Sequence, residues 1–153
     1  MNVTIKQMNK FLTFNLPSAY LCGVRLKELN NELSKVTVRY NWLTKNPFKS
    51  MYFAVQSMAA ELSTGAIVIK KIKESGKPIS MLVTNHKGSF TKKAIGKITF
   101  TCTDGLLIDN ALKSTIETGE GQTILMKSVG IDQQGDQVSA YEFEWSVKLK
   151  SKK

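Results

Sequence analysis

Ser50-Met51-Tyr52-Phe53-Ala54-Val55-Gln56-Ser57-Met58-Ala59-Ala60-Glu61-Leu62-Ser63-Thr64-Gly65-Ala66-Ile67-Val68-Ile69 is a long run with a single side chain charged at neutral pH, Glu61. At 100° per residue, Met51, Ala54, Val55, Met58, Leu62, Gly65, Ala66 and Ile69 share one broad face, while Phe53, Ala60 and Ile67 occupy the opposite side. A helix that is apolar nearly all round has to be covered on most sides. It is long enough to span a bilayer, but Gln56, Ser57, Glu61, Ser63, Thr64 and Gly65 interrupt it, and a carboxylate near midspan costs about 3 kcal/mol. The run therefore predicts a buried helix and no membrane span. Asn46-Pro47-Phe48-Lys49-Ser50 precedes it as a turn, and Lys70-Lys71-Ile72-Lys73-Glu74-Ser75-Gly76 closes it with cations at the negative pole and glycine just beyond.

Outward from that helix the hydrophobic period is two. Before it, Val24–Leu29 and Leu33–Trp42 flank the turn pair Asn30-Asn31, with Val36, Val38, Tyr40 and Trp42 on one face of a hairpin. After it, Ile79, Met81 and Val83, then Ile98, Phe100 and Cys102, then Tyr141, Phe143, Trp145, Val147 and Leu149 alternate with polar residues. His86 follows the first of these strands. Gln122–Val129 reads as another strand, Ile108–Ile116 as a short helix, and Ile5–Phe14 as a helix stopped before Pro17. Strand, strand, long helix and about four strands contain no repeating βαβ unit. An α+β fold follows, in which an antiparallel sheet with one dry face wraps a central helix. Residues 1–153 are expected to form a single domain with an N-terminal helical extension at about 4–22.

The composition narrows the functional classes. A chain of 153 residues buries a real core, and 42% hydrophobic with 22% charged residues is globular. The net charge of +10 is nearly all lysine, since Arg25 and Arg39 are the only arginines, which argues against sequence-specific nucleic-acid reading. The clusters at Lys70–Lys73, Lys87–Lys97 and Lys148–Lys153 read as solvated faces and a frayed end. One His and the separated Cys22 and Cys102 are too few for a structural metal site and suit a cytoplasmic location. The N-terminal apolar stretch is broken by Thr13, Asn15, Pro17 and Ser18, unlike an export signal.

Chemistry concentrates on the long helix. Ser50, Ser57, Glu61 and Thr64 fall on one narrow stripe beside the small residues Ala54 and Gly65. A carboxylate there is partly desolvated, which raises its pKa towards the range of a general base. The plainer alternative is a Glu61 paired with a cation or set at a solvated interface. Free backbone N–H groups near Met51–Phe53 offer an oxyanion site, a weak signal because every helix start has them.

Asn46 to Glu61, together with the order of elements, resembles the hotdog thioesterase superfamily, in particular the phenylacetate-degradation type. Its pattern is Asn-x-x-Gly-x-x-His-Gly-Gly followed by an acid inside the helix. Asn46 matches the asparagine and Glu61 the acid with the interval kept, while Lys49, Tyr52, Phe53 and Ala54 replace the glycine, the histidine and the glycine pair. Gly88–Ala94 also resembles the strand-to-strand segment after the helix, and the resemblance covers about residues 23–150 in layout. It looks most like an uncharacterised bacterial branch. The resemblance implies a homodimer or a tetramer with the site between two helices, acting on an acyl-CoA or acyl-carrier-protein thioester, with coenzyme A entering only as part of the substrate.

On that reading Glu61 activates water or attacks the thioester, Ser57 or Thr64 orients water, and Asn46 with the Tyr52, Phe53 and Ala54 backbone forms the oxyanion and substrate site. Lys87, Lys92 and Lys93 meet coenzyme A phosphates. His86 with Glu61 would instead suggest a hydratase, and the missing glycines suggest a non-catalytic acyl-chain or acyl-CoA binder. A basic scaffold for nucleic acid is a third reading.

Overall fold

The computed structural model describes residues 3–151. In chain order the elements are α1 (Ile5–Asn15), α2 (Pro17–Leu21), β1 (Arg25–Leu29), β2 (Ser34–Arg39), α3 (Phe53–Ser75), β3 (Ile79–Phe90), β4 (Lys97–Cys102), α4 (Gly105–Thr118), β5 (Gln122–Ile131) and β6 (Gln137–Leu149). Every strand pairing is antiparallel, in the order β1-β2-β4-β5-β6-β3. The sheet curls around α3, whose Ala59, Ala60, Ala66, Ile67 and Val68 are fully buried on different sides of the helix. They meet Val36, Val38, Ile98, Phe100, Met126 and Val147 in the core shared with the dry faces of the strands.

Grease alone does not hold α3. Four polar contacts join it to the sheet: Gln56 Oε1 accepts from Ser139 Oγ at 2.8 Å, Ser57 Oγ lies 3.2 Å from the Tyr141 hydroxyl, Ser63 Oγ pairs with Ser128 Oγ at 2.7 Å, and Trp145 Nε1 donates to Thr64 Oγ1 at 2.9 Å. Buried polar groups that are satisfied in this way fix the rotation of the helix as well as its depth.

The two edges of the sheet differ. At β1, Asn9 of α1 behaves like a short length of strand, donating to Leu26 O and accepting from Leu26 N, both at 3.0 Å. Met8 and Leu12 bury the same face of α1, and Thr4 with Gln7 caps its start. At the other edge β3 runs 12 residues with only β6 beside it. Its dry face is short: Ile79 is buried and Met81 and Val83 half-buried, and a register shift between Val83 and Asn85 is followed by exposed residues to Phe90. His86 therefore lies inside a strand, stacked on Phe143 at 5.9 Å, and not in a loop after one.

Three further expectations are corrected. Trp42 is 78% exposed, because β2 ends at Arg39 and Asn41 Oδ1 turns the chain by accepting from the N–H groups of Leu43 and Thr44. The helix begins at Phe53 because the Met51 and Tyr52 N–H groups are drawn to Ala94 O and Thr44 O, and it runs on to Gly76, whose φ of 64° suits glycine. Lys70 and Lys71 are buried rather than solvated. Lys70 Nζ donates to Asn31 and Glu74 and Lys71 Nζ to Asp109, each at 2.6 Å. Of the C-terminal lysines, Lys152 and Lys153 lie outside the described residues.

Candidate active site

The turn into α3 is built by one side chain. Asn46 Oδ1 accepts from Phe48 N at 2.9 Å and Ser50 N at 3.2 Å, while Nδ2 donates to Ser50 Oγ at 3.0 Å. The chain between them passes through a left-handed residue, Lys49 at φ 58°. That is the position at which Lys49 replaces the glycine of the hotdog pattern, and glycine adopts such a φ without strain. A non-glycine residue there costs about 1 kcal/mol.

Just beyond, the peptide N–H groups divide into used and free. Tyr52 N donates to Thr44 O at 2.8 Å, and the Val55 and Gln56 N–H groups return to Tyr52 O. Among the described residues those of Phe53 and Ala54 have no acceptor, which narrows the expected oxyanion donors from three to these two at the positive pole of a 23-residue helix. Buried Gln56, which donates from Nε2 to Met51 O at 3.3 Å, braces the same turn.

Glu61 sits two turns further along, half-buried, its carboxyl without a hydrogen-bond partner or ion pair among the described residues. Burial pushes its carboxyl up to about 7. Gly65 makes room for it. A Cβ at that position would stand 3.3 Å from Glu61 Oε1 and 3.0 Å from the Trp145 ring, so the carboxyl rests beside the indole with no methyl between.

The other members of the stripe separate. Thr64 is fully buried, donating to Glu61 O at 2.9 Å and accepting from Trp145 Nε1 at 2.9 Å, so its hydroxyl proton and one lone pair are engaged towards the helix and the sheet. Ser57 remains partly open, 3.0 Å from Phe53 O and beside Tyr141, whose hydroxyl burial pushes up. Around the helix start lies a cavity of about 560 Å³ lined by Asn46, Phe48, Tyr52, Phe53, Phe90 and Lys93 among others. Phe53 meets Tyr52 and Phe90 edge-on at 5.0 and 6.4 Å.

A family model described as a domain of unknown function, DUF4442, matches residues 5–147. The chain belongs to the DUF4442 family. Among solved structures it is similar to a Pseudomonas aeruginosa protein of unknown function described as a probable thioesterase, with 18% identity over 98% of this chain and 99% of that one and a TM-score of 0.83. It is also similar to the Haemophilus influenzae thioesterase HI1161, with 13% identity, 97% and 93% covered and a TM-score of 0.75. The Escherichia coli PaaI protein of the phenylacetic acid degradation operon shares 12% identity, with 94% and 92% covered and a TM-score of 0.67. No curated protein matches the chain. These likenesses establish the hotdog fold, on which the order of elements and the Asn46-to-Glu61 interval already converged.

In this DUF4442 chain the three candidate lysines do not form one cluster. Lys93 reaches the cavity rim and donates to Phe48 O at 3.0 Å. Lys92 lines the same cavity, but its Nζ is held by Asp132 at 2.7 Å and Asp136 at 2.6 Å. Lys87 lines a separate recess of about 330 Å³ with Lys127 and Glu142. Among the described residues no group of three His, Cys, Asp or Glu side chains could hold a metal, and no helix is long and apolar enough to cross a membrane. Sequence reasoning gave no role to Gln56, to Tyr141 or, within the Gly88–Ala94 segment, to Phe90. The alternation of Tyr141 with Glu142 did place it on the inner face, where only the curl of the sheet brings it to Ser57.

Proposed function

We propose that this DUF4442 protein hydrolyses an acyl thioester carried by coenzyme A or an acyl carrier protein. The observation that carries the reading is Glu61: an unpartnered, half-buried carboxyl whose pKa burial raises to about 7, on the helix whose free Phe53 and Ala54 N–H groups can donate to an acyl oxygen that gains charge. The ionised carboxylate takes a proton from water and the resulting hydroxide adds to the thioester carbonyl. The C–S bond then breaks, and the thiolate leaves with the proton that Glu61 received. Direct attack by Glu61 through an acyl anhydride is the alternative course at the same residue. No cofactor is needed beyond the coenzyme A of the substrate.

The uncovered β3 edge supports a homodimer, because Asn9 of α1 occupies the opposite edge and Leu82 and Phe90 stand exposed on β3. The free thiols of Cys22 and Cys102 suit a reducing cytoplasm. The test is thiol release from a panel of acyl-CoA chain lengths, with Glu61→Gln expected to lose about 10²–10⁴-fold in kcat. Equal turnover by the variant rejects the mechanism. A second reading, a non-catalytic acyl binder, is favoured by Phe53 and Ala54, whose side chains stand where a glycine pair would let a thioester approach the backbone. It predicts a copurifying acyl compound and no turnover on any member of the panel.

A further inference from the structure

The end of the sheet at which Arg39 pairs with Lys97 carries an unusual surface. Three connections meet there: residues 40–52, residues 91–96 and residues 132–136. They are joined by Tyr40 N to Gly96 O at 2.8 Å, Lys93 Nζ to Phe48 O at 3.0 Å and Lys97 N to Gln133 Oε1 at 3.0 Å. Large apolar side chains project from these turns, with Trp42 78%, Phe48 70%, Ile95 53% and Leu43 52% exposed. The turns themselves are ordered by the Asn41 and Asn46 side chains, so the display is fixed by hydrogen bonds.

The charges around them are one-sided. Arg39, Lys45, Lys49, Lys93 and Lys97 are exposed and take part in none of the ion pairs among the described residues. The only carboxylates on this end's connections, Asp132 and Asp136, are both held by Lys92. At the opposite end cations have partners, as Lys70 has Glu74 and Lys71 has Asp109.

From this juxtaposition we propose that the 40–52 and 91–96 turns dock the protein on an anionic lipid surface, with Trp42, Leu43, Phe48 and Ile95 entering the interface and the free cations meeting the headgroups. Projecting apolar side chains, with an indole among them, suit a deformable interfacial layer, and unpaired lysines each add about 1 kcal/mol near an anionic surface. An acidic protein would match the charge but would leave the protruding side chains without a complementary recess. The inference is independent of the chemistry at Glu61.

The two tryptophans give the test its readout, because Trp145 is 3% exposed and Trp42 stands in water. The full chain is floated with phosphatidylcholine vesicles, alone and with about one third phosphatidylglycerol. We expect flotation with the anionic vesicles only, release as salt rises, and a blue shift of emission that Trp42→Phe abolishes. Lys45→Glu combined with Lys97→Glu, two side chains with no partner to lose, should lower the bound fraction at least about tenfold. The proposal is overturned if the chain does not float with anionic vesicles at low salt, or floats with unchanged emission. A shift of Trp42 emission on adding polyglutamate, with none on adding vesicles, would replace lipid by an acidic protein and overturn it equally.

Discussion

On the proposed mechanism, Glu61 ties activity and stability to the same proton. Its carboxyl titrates at about 7 in the folded protein, against about 4.5 when free, so the folded state holds the proton more tightly. Below the lower value both states are protonated and burial of the carboxyl costs nothing through ionisation. As pH rises through the window between the two values the unfolded chain ionises first and stability falls, by at most about 3 kcal/mol, reaching its floor above the folded value. Glu61→Gln should therefore melt at or above the wild-type temperature at pH 8 and lose that advantage at pH 4, which paired thermal scans can check. In the same interval wild-type kcat/KM should rise with pH as the base ionises, with a midpoint near 7. A second residue-scale expectation concerns Lys49, whose left-handed φ of 58° a glycine would adopt without strain. Lys49→Gly should stabilise the fold by about 0.5–1 kcal/mol in denaturant titration, and a loss of that size would show that the lysine side chain has a role of its own. The acid itself was legible in the sequence because it is solitary in an apolar run. Its lack of a partner was not, since that depends on which side chains the sheet brings to it.

At the scale of elements, α3 was readable nearly in full, because an all-round apolar run of this length has one cheap structural solution. Its first turn was not, because the Met51 and Tyr52 N–H groups are claimed by Ala94 and Thr44, partners about 40 residues ahead and 8 behind in sequence. β2 shows the same limit in reverse. Alternation carried the reading on to Trp42, but the Asn41 turn ended the strand earlier and put the indole in water. Thr64 tests the attachment of α3 to the sheet. Thr64→Val keeps the shape and strands the Trp145 indole N–H in a dry site, at a cost of about 1–3 kcal/mol in denaturant unfolding. Because the hydroxyl faces β6, the variant's kcat should stay within about threefold of wild type, whereas a loss as large as that of Glu61→Gln would return Thr64 to the chemistry.

For the whole molecule, the unequal edges of the sheet decide where the proposed dimer can form. The stop of α1 ahead of Pro17 was legible, but its covering of β1 through Asn9 was not, because two hydrogen bonds to one residue leave no periodic trace. With that edge taken, the proposed homodimer would pair through β3. Sedimentation equilibrium should find a dimer that Leu82→Glu, an exposed position on β3, shifts towards monomer by at least about tenfold in dissociation constant. A wild-type chain that stays monomeric at high concentration would reject the pairing.

The four polar contacts that pin α3 to the wall around it make the rod a fixed axle. Turning it by a fraction of a helical step would break all four together, so it has no soft rotation with which to make space for a guest. Any widening has to come from the wall, at β3 with its single neighbour and at the turns that close the near end. Backbone amides of β3 should exchange with deuterated solvent well before those in the middle of α3, and a bound acyl group should slow the former while leaving the latter unchanged.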